Sequence, residues 1–229
     1  MLEHCESRPV KVGILDFGDG RSFLQAPLAP VNQRFREMLA SRLEQAGFQV
    51  VLGDEVIWQN EIAARNGRAM AAAGVDVVLF NFSVWAWPQY ARVAAQFCPQ
   101  PIVMFSNVNP QYPGLVGMLA NSGSLDQAGI RFYKAFGSVE DEKTFAALRS
   151  RLVAVAAAHR LRGQTYCLIG GRSLGIDTTV IDPAQWMEQF GIDVDHVDQF
   201  EVIRRAREIE RADRVSGALE YLKRLVKKI

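Results

Sequence analysis

Short apolar, β-branched runs alternate along this chain with longer amphipathic stretches. The short runs have the length and composition of strands and lie at 10–15, 48–52, 75–82, 102–105, 131–136, 165–169 and 192–197. In segment 31–46 the apolar residues are three and four positions apart, which predicts a helix whose other face, with Arg36, Glu37 and Glu44, is exposed to water. Glycines follow the amphipathic stretches, at Gly47, Gly74, Gly129, Gly163 and Gly191. The alternation predicts an α/β fold with a doubly wound parallel sheet of the Rossmann or flavodoxin type.

One long helix separates two parts of this pattern. It is predicted from about residue 140 to 161, begins near Ser138 and Asp141 at capping-box spacing, and ends near Gly163. We therefore expect an N-terminal α/β domain over 1–162 and a second α/β domain beginning at 163. The remaining stretch to 229, with predicted helices over 199–212 and 215–229, has only about 65 residues, fewer than the roughly 100 of an ordinary domain. The second domain is accordingly expected to be incomplete.

Composition and charge narrow the classes of function. Of the 229 residues 49% are hydrophobic, which excludes disorder, and a net charge of +1 gives no field that would recruit nucleic acid or an anionic membrane. Cys5, Cys98 and Cys167 lack the spacing of a zinc site or a disulfide framework, which favours a reducing compartment. The first nine residues are polar and no apolar run approaches a membrane span, so we expect a cytoplasmic protein.

The turns that follow the predicted strands carry the candidate chemistry, because doubly wound sheets bind ligands beyond the carboxyl ends of their strands. After the first strand, Asp16 to Arg21 includes two glycines and an arginine whose donors suit hydroxyl groups, although a solvated turn explains it equally well. After the third strand, Trp85 and Trp87 lie in one loop. They suit a sugar-stacking wall, a subunit contact or, for one of them, the core.

Two further turns are polar. Segment 106–114 is rich in amide side chains that match a polyol, but asparagine and proline are also common turn formers. Segment 170–175 is glycine-rich and could present backbone amides to an anion or a hydroxylated ligand. It matches neither the G-x-G-x-x-G pattern nor a P-loop, which weakens a nucleotide or flavin hypothesis.

The sequence gives weaker evidence for a metal site or an acid–base pair than for the turns after the strands. The histidines, at positions 4, 159 and 196, are scattered without metal-ligand spacing. Asp193, Asp195 and Asp198 cluster at a predicted strand end, where solvated charge is favoured over a cation site. The basic run 223–228 is best explained as the wet face of a terminal helix.

Segment 163–176, GQTYCLIGGRSLGI, followed by Val180-Ile181-Asp182 and by Val197-Asp198, resembles the second domain of L-fucose isomerases. Asp19-Gly20-Arg21 resembles an Asp-Gly-Arg turn in the first domain of that family, and Trp85 falls where the family has a sugar-contacting tryptophan. Segment 113–120, PGLVGMLA, resembles the turn and helix after the fourth strand.

The resemblance to the L-fucose/L-arabinose isomerase family implies an aldose–ketose isomerase. Such an enzyme uses a divalent metal, usually Mn2+, to polarise the substrate while acidic residues move protons through an enediol. Carried onto matching positions, the sugar-contacting residues are Arg21, Trp85, Arg172, Ser173 and Leu174. The family's metal ligands lie in later regions, so this chain is expected to hold no Mn2+ and to be inactive alone. First-domain residues of the family reach a neighbouring subunit's active site, which implies a homo-oligomer.

Two hypotheses remain beside each other. The chain is either the N-terminal, sugar-contacting part of such an isomerase or a stand-alone sugar-binding or regulatory module without catalysis. Both require that the loops bearing Arg21, Trp85 and Gly171 converge on one pocket that holds a polyol.

Overall fold

A computed structural model describes residues 8–98, 100–209 and 212–226, except for the side chains of 212–214. The chain divides into two compact units, Met1–Arg160 and Leu161–Ile229, here called unit 1 and unit 2. This division falls two residues before the predicted boundary, and the incompleteness of the second domain stays a prediction. His4, Cys5 and the last two lysines of the basic run lie outside the described residues.

Unit 1 is a parallel five-stranded sheet covered by helices. Its strands are β1 (Lys11–Phe17), β2 (Gln49–Leu52), β3 (Val77–Phe82), β4 (Ile102–Asn107) and β5 (Phe132–Gly137), in the spatial order β2-β1-β3-β4-β5. Its α-helices are α1 (Gln25–Gln45), α2 (Asn60–Ala73), α3 (Gln89–Phe97), α4 (Gly114–Gln127) and α5 (Glu142–Arg160). A 3-10 turn, Ser22–Leu24, precedes α1. The predicted doubly wound α/β fold is confirmed, with the flavodoxin-like strand order.

The glycines that punctuate the sequence adopt the backbone conformation that their position predicts. Their φ angles are positive, a region that other residues enter at a cost: Gly47 86°, Gly74 60°, Gly129 68°, Gly163 77° and Gly191 67°. Each therefore lets the chain leave a helix and turn back toward the sheet.

Apolar side chains on both faces of the sheet form two core layers. One layer packs under α1 and α5 and is centred on Val12, Ile14, Leu79, Phe105 and Leu148. The other packs under α2, α3 and α4 and includes Phe17, Phe80, Phe82, Met104 and Met118. The central strands β3 and β4 are buried along their whole length, as expected for a parallel sheet with helices on both faces.

The strand order creates a switch point between β1 and β3. The helix after β1 packs on one face of the sheet and the helix after β3 packs on the other. The two loops therefore diverge and leave a crevice at the carboxyl ends of these strands, which is the usual ligand position in such folds.

Unit 2 contains a parallel pair, β6 (Thr165–Ile169) and β7 (Asp193–Val197), with α6 (Pro183–Phe190), α7 (Gln199–Glu208) and α8 (Ala212–Leu225). Tyr166 packs against Trp186, which in turn contacts Phe190. No residue of this unit whose side chain the structure describes is fully buried. Over the described part of the chain, no helix combines the length and the apolar character needed to cross a bilayer.

Candidate functional site

A buried polar pair lies at the switch point. Asp16 and Asn81 are in register on β1 and β3, and the Asn81 amide donates to Asp16 Oδ1 over 2.7 Å. Arg36 Nε of α1 lies 2.8 Å from Asp16 Oδ2, an ion pair in contact but without an aligned hydrogen bond. Burial raises the pKa of Asp16, and the charge of Arg36 and the Asn81 hydrogen bond oppose that rise.

The position of Arg36 corrects one prediction from the sequence. We expected its side chain on the wet face of α1, but only 17% of it is exposed. A carboxylate as buried as that of Asp16 needs a nearby positive charge, and Arg36 supplies it while also donating to the Gly53 carbonyl. Periodicity alone places a residue on a helix face but does not reveal such a partner.

The turn after β1 fixes Arg21 against Asp19. The Asp19 side chain is 2% exposed and accepts three hydrogen bonds from Arg21: from its backbone amide and Nε at 2.9 Å each, and from Nη2 at 2.6 Å. These hydrogen bonds, with help from the Trp87 indole, hold the pKa of Asp19 below its ordinary value despite burial. Gln25 at the start of α1 donates to the carbonyls of Asp19 and Arg21, which secures the turn.

An aromatic wall stands against this turn. The Trp87 and Tyr90 rings are nearly parallel, with centroids 6.4 Å apart and an interplanar angle of 7°. Gly20 lies directly on them, since a Cβ at this position would be 2.9 Å from Trp87 Cδ2 and closer still to the Tyr90 hydroxyl. Trp87 remains 39% exposed, so one part of the wall faces solvent beside Arg21.

Trp85, the tryptophan singled out from the sequence, is half-buried. Its backbone packs on α4, where a Cβ on Gly117 would lie 3.3 Å from the Trp85 Cα. The Asn121 amide of the same helix donates to the Ala86 carbonyl over 3.1 Å. The ring that contacts the Arg21 turn is that of Trp87, and a sugar-contacting role for Trp85 stays a prediction.

The amide-rich turn after β4 has local structural roles. Ser106 donates to the Phe82 carbonyl, and Asn107 accepts from the Val139 amide. Asn109 accepts from the amide of Gln111, the hydrogen bond of an Asx turn. These contacts favour the alternative that the segment is an ordered turn.

The unit 2 residues named from the resemblance lie on the loop after β6. Arg172, Ser173 and Leu174 are all exposed, Leu174 completely. This loop turns at Gly170 and Gly175, which both have positive φ. Whether it converges with the loops of unit 1 stays a prediction.

A divalent metal needs several carboxylate, imidazole or thiolate ligands close together. Between residues 8 and 226, outside the gaps already given, no three His, Cys, Asp or Glu side chains group in a way that could hold an ion. Asp193 and Asp195 accept from neighbouring backbone amides, and Asp198 caps α7 by accepting from the Phe200 amide. The donor set of the described residues does not fit Mn2+, and the acidic cluster has a structural explanation.

Three surface depressions of about 390 to 440 Å³ lie at the start of β5, between α3 and α4, and between α1 and α5. None of the three includes Arg21, Trp85 or Trp87. The candidate site is the crevice at the sheet edge between the loops after β1 and β3.

Sequence reasoning missed part of this crevice. Tyr90 reads as an ordinary helical residue, and the pairing of Asn81 with Asp16 is not visible in the sequence, although Asn81 begins the candidate segment 81–88 after the third strand. One available signal was the polar residue at the carboxyl end of each apolar run, Asp16 after Val-Gly-Ile-Leu and Asn81 after Val-Val-Leu-Phe. In a parallel sheet such residues meet at one edge.

The strand order and the crevice define an α/β protein of the doubly wound class with a polar and aromatic candidate site at its switch point. A family model described as "L-fucose isomerase, first N-terminal domain" matches residues 9–163, more than half of the chain. The chain belongs to the L-fucose isomerase family.

Full-length relatives are similar over most of this chain. The L-fucose isomerase of Haemophilus influenzae is 23% identical in a match that covers 97% of this chain and 40% of the relative. That of Phocaeicola vulgatus is 23% identical, covering 86% and 36%, and that of Bacteroides fragilis is 22% identical, covering 95% and 40%. The chain thus spans about two fifths of the length of the curated relatives it matches.

Proposed function

We propose that this chain is the N-terminal, sugar-contacting part of an aldose–ketose isomerase. The observation that carries the proposal is Arg21, held on buried Asp19 and set beside the Trp87–Tyr90 wall at the switch point. Membership of the L-fucose isomerase family supports a sugar as the ligand, and the proposed substrates are L-fucose, D-arabinose or L-arabinose.

The proposed contacts follow from the chemistry of the two groups. Arg21 retains N–H donors that Asp19 does not use, and these suit the hydroxyl oxygens of a sugar. An aromatic face packs against the C–H surface of a sugar ring, a role open to the exposed part of Trp87 and to Trp85. Both groups bind and orient; neither is assigned a proton-transfer step.

We propose that only the complete isomerase binds Mn2+, which would act there as a Lewis acid. Since the described residues do not fit the ion, we propose that its ligands lie outside them and that this chain is inactive alone. The matched relative extends well beyond the region similar to this chain, and we propose that the metal ligands lie in that unmatched part.

Unit 2 is proposed to supply Arg172, Ser173 and Leu174 to the sugar and to be part of a larger domain. Its apolar exposure supports this: Leu174 is fully exposed, Ile169 58% and Phe200 59%. Faces of this kind are usually covered by further structure. A homo-oligomer in the cytoplasm is the setting we propose for the complete protein.

Calorimetry of the chain with each of the three sugars tests the binding proposal. We expect heat with at least one sugar, and an affinity reduced about tenfold or more in Arg21→Ala, because charge-assisted hydrogen bonds are lost. Arg151→Ala, an exposed arginine on α5, is the matched control and should bind as the original chain does. Heat absent with every sugar, or equal affinity in Arg21→Ala, would refute a sugar site at this turn.

A stand-alone sugar-binding module is the second candidate, favoured by the lack of a metal-ligand group among the described residues. Mixing the chain with a polypeptide covering the unmatched three fifths of the Haemophilus influenzae enzyme, plus Mn2+, separates the two. Ketose detected by NMR only in the mixture supports the isomerase part. Sugar binding by the chain without ketose in the mixture supports the module.

A further inference from the structure

Two arginine–aspartate pairs lie at the carboxyl ends of β1 and β3 in unit 1. Arg36 lies against Asp16, and Arg21 lies against Asp19. Both carboxylates are almost completely buried, at 3% and 2% exposure, while the Arg21 side chain is 51% exposed. A ligand at this edge therefore meets a guanidinium whose charge is already balanced from beneath.

The hydrogen bonds of Asp19 also occupy three of the donors with which Arg21 could bind an anion. The Asp19 carboxylate accepts hydrogen bonds from Nε and Nη2 of Arg21. This edge of a guanidinium commonly binds a phosphate or carboxylate through two parallel hydrogen bonds. The carboxylate also accepts from the Arg21 backbone amide, the donor that such a turn would otherwise offer to an anion. Both Nη1 hydrogens and the second Nη2 hydrogen remain free, and because Asp19 already balances the guanidinium charge they suit bonds to uncharged hydroxyl oxygens.

The surroundings hold this arrangement in place. Gly20 has no room for a side chain against Trp87 and Tyr90, so the turn has little freedom to move Asp19 away from Arg21. The Arg21 guanidinium also lies 5.8 Å from the centre of the exposed Phe23 ring. Asp19 thus both positions and neutralises the arginine.

We infer that Asp19 is the specificity-determining residue of the proposed sugar site: by neutralising and orienting Arg21 it admits uncharged polyols and rejects phosphorylated or carboxylated sugars. This inference rests on the proposed function for its sugar half. The rejection of anions concerns Arg21 and Asp19 alone, so it can be tested with phosphate in the absence of any sugar.

The test is calorimetry of the full chain and of Asp19→Asn, with inorganic phosphate, L-fucose and L-fucose 1-phosphate as probes. Asparagine keeps the shape of the side chain and removes its charge. We expect Asp19→Asn to gain phosphate affinity about tenfold or more, since an arginine freed of its partner binds anions. The ratio of L-fucose 1-phosphate to L-fucose affinity should rise with it, and the double variant Asp19→Asn/Arg21→Gln should lose the gain.

Two results for Asp19→Asn would overturn the inference. A folded Asp19→Asn that binds phosphate no better than the original chain overturns the inference, as does a gain that survives Arg21→Gln. If Asp19→Asn does not fold, the original chain decides: phosphate binding that Arg21→Gln abolishes overturns the inference, and no Arg21-dependent phosphate binding supports it. Absence of heat with L-fucose, by contrast, counts against the proposed function and leaves the phosphate result standing.

Discussion

Each buried carboxylate among the described residues of unit 1 has an arginine partner, and Asp76 has two. Its side chain, 3% exposed, accepts from Arg160 at the end of α5 over 3.0 and 2.6 Å, from Arg8 over 2.9 Å, and from the Lys11 amide over 2.8 Å. Burial alone would raise the pKa of Asp76, but these hydrogen bonds and the two arginine charges outweigh it and hold the pKa below 3.8. Asp76 thus connects Arg160 at the end of α5 to Lys11 at the start of β1.

We expect Asp76→Asn to lower the free energy of unfolding by about 2 kcal/mol at pH 7, because charge-assisted hydrogen bonds are lost. A carboxyl with a depressed folded-state pKa stabilises the fold fully above its unfolded value, near 3.8, and loses this contribution as pH falls through the folded value. The difference between the two proteins should therefore be constant near neutrality and shrink below about pH 4. Urea denaturation at several pH values measures it.

Asp54→Asn is the matched control, because the Asp54 side chain is 69% exposed and its distance to Arg65 Nε, 3.9 Å, is too long for a hydrogen bond. It should change the unfolding free energy by less than about 0.5 kcal/mol at any pH. A difference for Asp76→Asn that grows on acidification would contradict the assigned pKa direction.

Helix α4 acts as a clamp on the loop that carries the tryptophans. Gly114 and Gly117 bring the helix against the backbone of residues 82–86, and Asn121 bonds to the Ala86 carbonyl. A Cβ on Gly117 would lie 2.8 Å from the Ala86 nitrogen and 3.0 Å from the Val84 oxygen. Since both are backbone atoms, neither can rotate away.

Gly117→Ala should therefore destabilise the chain by about 2–3 kcal/mol or displace the tryptophan loop, since overpacking against a fixed backbone costs this much. Gly123→Ala in the same helix meets open space and should be neutral or stabilise by up to about 1 kcal/mol. Thermal unfolding and near-ultraviolet circular dichroism of the tryptophans compare the two. Equal stability of both variants together with unchanged near-ultraviolet circular dichroism would mean that α4 does not hold the loop.

Across the whole molecule the two units differ in their cores. Unit 1 buries large side chains on both faces of its sheet, including Phe17, Phe80, Phe82 and Phe105. In unit 2, none of the residues with described side chains is fully buried, and its apolar contacts centre on Tyr166 and Trp186. Hydrogen exchange depends on local opening, so its protection should follow these cores.

We expect slow amide exchange in β1, β3 and β4 and fast exchange in β6 and β7, measured by mass spectrometry on the intact chain. Tyr166→Ala should speed exchange in unit 2 further and leave β1, β3 and β4 unchanged, because its ring packs on Trp186. Protection of β6 and β7 equal to that of the central strands would show that unit 2 is covered in solution, for example by a second copy of the chain.

The positions of strands and helix ends follow from the sequence. The strands from β1 to β7 lie where apolar β-branched runs predict them, and the glycine-ended helices stop where positive φ is required. These features depend on local composition and period, which a single sequence displays. Arg36 was assigned to the wrong environment because its partner, Asp16, lies on another element.

The candidate site divides in the same way. The sequence by itself determined that polar and aromatic residues follow buried strands, and that Arg21 lies in a glycine turn. Only the tertiary structure decided that β3 lies beside β1, that Trp87 and Tyr90 back the turn, and that Asp19 takes up two nitrogens of Arg21. Strand order and side-chain pairing depend on contacts between residues far apart in the chain. A hydrophobic period records which face a residue takes, but not which residue it meets there.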